Sequence, residues 1–172
     1  MKRICFHGAE STGKSVLAEK LAAELGLPCV PEYGREYSET FGTNFTLADL
    51  MAIAEGHEQR VQQVEAGGAP LAIIDTDPLM TAAWAEMLFG TVPDELLAYP
   101  KSDLYLLFEP DVPWVGDGTR FFGSPAERAR FAAVAEAMLV REGVPFQRIG
   151  GTWTQREAQV RQVLAGLQLP MR

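Results

Sequence analysis

Eight residues near the start of the chain, Gly8-Ala9-Glu10-Ser11-Thr12-Gly13-Lys14-Ser15, constrain the fold more than any other feature. They match the pattern G-x-x-x-x-G-K-[ST]. They follow a short apolar run, Lys2–Phe6, and precede a helical pattern. Gly8 and Gly13 permit backbone angles that turn successive N–H groups toward one point. A helix beginning near Lys14 adds its dipole and its free N–H groups. Such a loop cradles the phosphates of a nucleotide. Gly8 to Val16 are therefore candidate nucleotide contacts, with Lys14 reaching the terminal phosphates and Ser15 ligating Mg²⁺. The same loop requires a strand before it and a helix after it.

The rest of the chain supplies that architecture. Short apolar runs, Lys2–Phe6, Leu27–Val30, Leu71–Asp75, Leu104–Phe108 and Phe146–Ile149, alternate with amphipathic stretches. The runs are continuous rather than alternating, as in strands buried on both faces of a parallel sheet. Thr46 and Asp49 frame a helix through Glu65, Ser124-Pro125-Ala-Glu127 places a cap, a first-turn proline and a capping-box glutamate, and Thr154-Gln-Arg-Glu157 repeats the cap-and-glutamate pattern. Gly67-Gly68 and Gly143 suit helix stops. These features predict an α/β fold: a five-stranded, doubly wound parallel sheet with helices on both faces. The 172 residues match one domain, 1–172. Segments 30–45 and 109–124 read as long loops, and long loops in a compact domain carry function.

Composition narrows the classes. A net charge of −8 argues against nucleic acid as a partner. Neither an apolar signal segment nor a run of about 20 apolar residues is present, so the chain reads as cytoplasmic, with no membrane partner. Cys5 and Cys29 lie in apolar runs and read as small buried thiols, and His7 and His57 have no ligand-spaced partners along the chain.

Further candidates fall at the ends of the predicted strands. Asp75, closing the run Leu71–Asp75, can hold the Mg²⁺ shell. Asp77 either joins it or caps a helix that begins at Pro78. Glu32 follows the second strand, where a carboxylate can take a hydroxyl proton from a phosphoryl acceptor. Arg120 can neutralise charge on a transferring phosphate, within a glycine-punctuated lid around 110–130 that carries Trp114 and Asp117. Arg128 and Arg130 read mostly as a solvated helix face. Trp153, after the last strand, can pack against adenine or against its own helix.

Four blocks, GAESTGKS, PEYGREY, IDTD and PWVGDGTR, stand in an order and spacing that resemble the NadR-type ribosylnicotinamide kinase domains, often grouped with AAA-type ATPases. The likeness runs from about Lys2 to Leu167. It implies a P-loop kinase fold and transfer of the ATP γ-phosphate to the 5′-hydroxyl of nicotinamide riboside, giving nicotinamide mononucleotide in NAD biosynthesis. It implies ATP and Mg²⁺ as cofactors. It assigns Glu32, Tyr33, Arg35 and Glu36 to the acceptor side, Asp75 and Asp77 to the strand-end acids, Trp114, Asp117 and Arg120 to the lid, and Arg128 to a basic position beyond it. The family's aromatic before the EYGRE block is here Pro31, and residues 58–63, after Gly56-His57, contain no ring. The resemblance thus implies that a stacking pair for the nicotinamide is missing. Longer members also carry DNA-binding and adenylyltransferase domains, for which 172 residues leave no room. A kinase for another nucleoside or small metabolite, and a nucleotide-hydrolysing switch, remain alternatives at this point.

Overall fold

The computed structural model describes residues 1–116, 118 and 120–167. In chain order the elements are β1 (Lys2–His7), α1 (Lys14–Leu25), β2 (Cys29–Val30), α2 (Tyr33–Phe41), α3 (Leu47–Ala66), β3 (Leu71–Asp75), α4 (Pro78–Phe89), α5 (Asp94–Leu97), β4 (Leu104–Phe108), α6 (Pro125–Arg141), β5 (Phe146–Ile149) and α7 (Trp153–Gly166). The five strands are parallel, in the order β2-β3-β1-β4-β5.

The continuous apolar character of β1, β3 and β4 has the expected cause: both sheet faces are covered. One face packs under α1 and α7 through Ile4, Phe6, Leu21, Ile73, Leu106 and Val160. The other packs under α3, α4 and α6 through Cys5, Ile74, Leu79, Leu107 and Phe131. Central β1 pairs Phe6 with Asp75 and His7 with Leu107. The loop leaving β1 therefore opens at the carboxyl edge of the sheet, between the ends of β3 and β4, where ligands bind in such sheets.

Most predicted elements form where the sequence places them. Both α3 and α6 open with capping boxes, Thr46 with Asp49 and Ser124 with Glu127. Three differences have physical reasons. Strand β2 shrinks to two residues because it is an edge strand with one neighbour. Segment 30–45 is largely helical: α2 packs Tyr33 against Gly56 of α3, where a Cβ would lie 2.2 Å from the ring. The cap of α7 is Thr152, boxed with Gln155, rather than Thr154; Glu157 instead pairs with Lys20 and Arg161.

His7 is fully buried at the end of β1, with Nε2 2.9 Å from the Ala135 carbonyl, and burial lowers its pKa to about 4. Burial lowers that of His57 similarly, to about 4. Between the ordinary histidine pKa and 4, the unfolded chain binds protons that the folded chain refuses. The stability from these rings is whole above about pH 6.5 and lost as pH falls toward 4. Asp75, raised to about 6 mainly by burial, acts in the opposite sense over part of that window. His7→Gln keeps a donor for Ala135 and removes one titration. Its Tm should fall less than that of the parent between pH 7 and 5, and equal falls would remove His7 from the acid response.

Candidate active site

The phosphate loop is built by backbone geometry. Gly8 (φ +125°) and Gly13 (φ +85°) adopt angles that favour glycine, and a Cβ on Gly8 would meet the Phe108 carbonyl at 2.7 Å. Ser11 takes φ +57° without being glycine, a strain of about 1–3 kcal/mol. Four of the loop's carbonyls, those of Gly8, Ala9, Ser11 and Thr12, are engaged. Lys14 Nζ donates to the Gly8 and Ala9 carbonyls at 2.8 and 2.7 Å, Thr12 Oγ1 to Ala9 at 3.0 Å, Arg128 to Ser11 at 3.4 Å, and Arg156 Nη1 to Thr12 at 3.3 Å. Burial lowers the Lys14 pKa, opposed by Asp75, Glu32 and Glu10.

Asp75 is 2% exposed, and its Oδ1 has no hydrogen-bond partner among the described residues. Burial first, and Glu32 second, raise its pKa to about 6, while a hydrogen bond from Ser15 works against the rise. A buried carboxylate oxygen without a partner, beside a hydroxyl at the start of α1, is a donor set suited to a hard cation. Glu32 stands half-buried at the start of α2, its pKa raised by burial against the pull of Lys14 and Arg35. Asp77 has another task. Its Oδ1 accepts from the N–H groups of Leu79 and Met80, and its Oδ2 from the Tyr105 hydroxyl at 2.6 Å. It caps α4, although it also borders the cavity described below. The fold also brings ligand atoms of Cys5, His7 and Asp77 within 4.8 Å of one another, a juxtaposition their spacing along the chain conceals.

Segment 109–124 folds down onto the loop. Both oxygens of Glu10 accept from the backbone N–H groups of Phe121 and Phe122 at 3.1–3.3 Å. Ser11 Oγ accepts from Val115 N at 2.7 Å, and Arg120 reaches the same hydroxyl at 3.4 Å. Glu10 is thus a latch for the lid rather than a group facing phosphate, and burial raises its pKa. Trp114, an expected substrate contact, packs inside the lid against Gly116 and Gly123, away from the cavity wall. Asp117 lies outside the described residues. Arg128 is half-buried on the phosphate loop, not solvated, whereas Arg130 is exposed. Trp153 lies over the outer side of Gly13, where a Cβ would meet its ring at 2.3 Å. Arg156, inside a pattern that predicted only a cap, is 1% exposed and ties Thr12 to the carbonyls of Glu109 and Gly151.

A cavity of about 350 Å³ runs from this loop into the space between α2, α3, α4 and the lid. Its phosphate end carries Gly8, Glu10 to Val16, Glu32 and Arg120, while Ala9 is buried behind it; its far end carries Tyr33, Arg35, Ser38, His57, Thr81, Trp84 and Phe121. Phe45 stacks on Phe121 at 5.8 Å, and Trp84 meets Phe121 edge-on at 5.3 Å. Rings from α4, the lid and the loop before α3 line the chamber. The two positions where the resemblance implies rings contribute none.

A family described as AAA domain matches residues 3–156. The chain belongs to the AAA domain family. Within this family's reach, the trifunctional NAD biosynthesis/regulator protein NadR of Escherichia coli (strain K12) is 33% identical over 156 residues, 87% of this chain and 38% of that protein. The chain thus spans well under half the length of this curated relative. A NadR protein in complex with NAD and AMP-PNP superposes with a TM-score of 0.74 at 19% identity, covering 99% of this chain and 51% of the other. A NadR protein in complex with NR gives 0.76 at 20%, with the same coverage. This AAA domain has the P-loop kinase fold expected from its sequence.

The latch makes a direct prediction. Glu10→Ala should speed amide hydrogen exchange at Phe121 and Phe122 while moving Tm by only about 2–4 °C, the loss of roughly 1 kcal/mol. Unchanged exchange at those amides would show that the lid is held by something else.

Proposed function

We propose that residues 1–172 form one ATP-dependent kinase domain, lidded at about 110–130, that phosphorylates the 5′-hydroxyl of nicotinamide riboside to give nicotinamide mononucleotide. The observation that carries this reading is the continuous cavity. A phosphate loop closes one end, a ring-lined chamber the other, and Glu32 stands between them. Relatives named for NAD biosynthesis, and NadR structures holding NR or AMP-PNP, support the acceptor and the donor. Substrates of this class are dissolved metabolites, which supports a cytoplasmic site of action. Among the described residues, no helix is long and apolar enough to cross a membrane.

In this reading the loop N–H groups and Lys14 hold the ATP phosphates, while Tyr33 and Arg35 flank the acceptor. Ser15 and the unpartnered Oδ1 of Asp75 would hold Mg²⁺, whose charge would balance that of the phosphates. The acceptor oxygen attacks the γ-phosphorus as the bond to the β-γ bridging oxygen breaks, leaving ADP. Glu32 takes the hydroxyl proton; its raised pKa brings it closer to that task at neutral pH. Arg120 offsets charge on the moving phosphoryl group, and the docked lid excludes water. Asp77 is the weaker candidate for the base because both its oxygens are engaged.

The test is ADP release from Mg-ATP with no acceptor, with nicotinamide riboside and with a panel of nucleosides. Strong stimulation by nicotinamide riboside is expected. Stimulation only by another nucleoside would change the substrate, and equal release in every case would make the chain a hydrolase. Lys14→Ala should abolish transfer. Glu32→Gln should lower kcat more than it changes either KM, and an unchanged kcat would exclude it as the base. Asp77→Asn should chiefly lower Tm, since a helix cap is worth about 0.5–2 kcal/mol.

A further inference from the structure

We propose that His57 is a recognition residue of the acceptor chamber: its bare Nε2 accepts a hydrogen bond from an N–H or O–H donor of the bound acceptor. The inference rests on the kinase reading and specifies what the far end of the cavity selects.

Several observations converge on this ring. His57 lies on α3 and borders the cavity, yet it is 3% exposed. Its Nε2 has no hydrogen-bond partner among the described residues. The Thr76 backbone stands where a hydrogen bond with the other ring nitrogen would favour the charged ring. A bond of that sense is donated by Nδ1–H to a carbonyl, which leaves Nε2 as a lone-pair acceptor in the neutral ring. Burial outweighs that bond and keeps the ring neutral at physiological pH.

The backbone around the ring is arranged to keep it there. Thr76 holds φ +66°, an unusual angle for a β-branched residue, and its N–H is tied to the Phe6 carbonyl at 3.0 Å. Strain at a site wall points to a fixed orientation. On the next position along α3, Gly56 leaves room for the Tyr33 ring, which also borders the cavity. His57 and Tyr33 thus both border the cavity. A buried ring nitrogen with no protein partner is uncommon, and this one belongs to a residue of the cavity wall. His7 makes a useful contrast: its Nδ1 also lacks a partner among the described residues, but it does not border the cavity.

A buried acceptor left unpaired penalises any ligand that brings no donor to it, and this is how a pocket rejects near-isosteres. Nicotinamide riboside offers two kinds of donor, the carboxamide N–H and the ribose hydroxyls. Nicotinic acid riboside removes the first, and 2′-deoxy and 3′-deoxy analogues remove the second.

Steady-state kinetics would be measured for the parent, His57→Leu and His57→Gln on these four compounds. His57→Leu should raise the KM for nicotinamide riboside about tenfold or more, a larger factor than any change in the KM for ATP. His57→Gln, which returns an oxygen near the place of Nε2, should recover part of that loss. One analogue should weaken binding to the parent by a similar factor and cost His57→Leu nothing further, which identifies the donor. Should His57→Leu fail to fold, ¹⁵N NMR of the parent's imidazole gives the answer: Nε2 should shift toward the hydrogen-bonded range when nicotinamide riboside is added.

An acceptor KM within twofold of the parent in His57→Leu, or an unmoved Nε2 resonance, would overturn the proposal while leaving the kinase reading intact. If the parent phosphorylates a different nucleoside, the same comparison on that nucleoside and its deoxy analogues decides the role of His57. If no compound is phosphorylated, both readings fall.

Discussion

Turning a loop so that its N–H groups converge forces its carbonyls outward, and every other feature of this site accommodates that requirement. The carbonyls of Gly8, Ala9, Ser11 and Thr12 face protein rather than solvent, and unpaired they would be costly. Lys14, Arg128 and Arg156 answer them with donated hydrogen bonds. Arg128 and Arg156 thus stand behind the loop, Lys14 lies between its carbonyls and the cavity, and the N–H side is left to a polyanion. Arg156 explains why the start of α7 sits where it does: a nearly fully buried guanidinium has to find carbonyls, and the residues after β4 and β5 supply them.

The acids around the cavity belong to the same arrangement. Asp75, Glu32 and Glu10 are all held above the ordinary carboxyl range by burial. A buried carboxyl in that condition is tolerated only when a cation or donor answers it. Lys14 serves all three electrostatically, and Glu10 finds two lid amides besides. Glu10 therefore joins the two halves of the site. The loop between β1 and α1 also holds Phe121, and Phe121 is a wall of the ring-lined chamber.

The sheet was legible because its cause is local: continuous apolar runs, caps and glycine stops are written within a few residues of the elements they define. The placement of the glycine-rich loop, Asp75 and Glu32 at strand ends was legible for the same reason. The cap role of Asp77 was visible in Asp-Pro but could not be weighed against a site role without Tyr105, which lies 28 residues away. The latch of Glu10 was hidden because its partners are backbone amides 111 and 112 residues on. The ring-lined chamber was hidden because Phe45, Trp84 and Phe121 come from three separate segments, so their meeting has no spacing signature. In α2 the competing signal won: a glycine-bearing, charged stretch reads as a loop until Tyr33 finds the gap at Gly56.

The two halves of the molecule are moored to different degrees. The phosphate end hangs from β1, paired on both sides along its length. The chamber end hangs from β2, an edge strand that pairs only Cys29 and Val30 with one neighbour. Substitutions near α2 and α3 therefore disturb few ladder bonds, while those near β1 disturb the centre of the sheet. Such a division leaves the chamber end freer to be remodelled than the phosphate-loop end, which is anchored at the centre of the sheet.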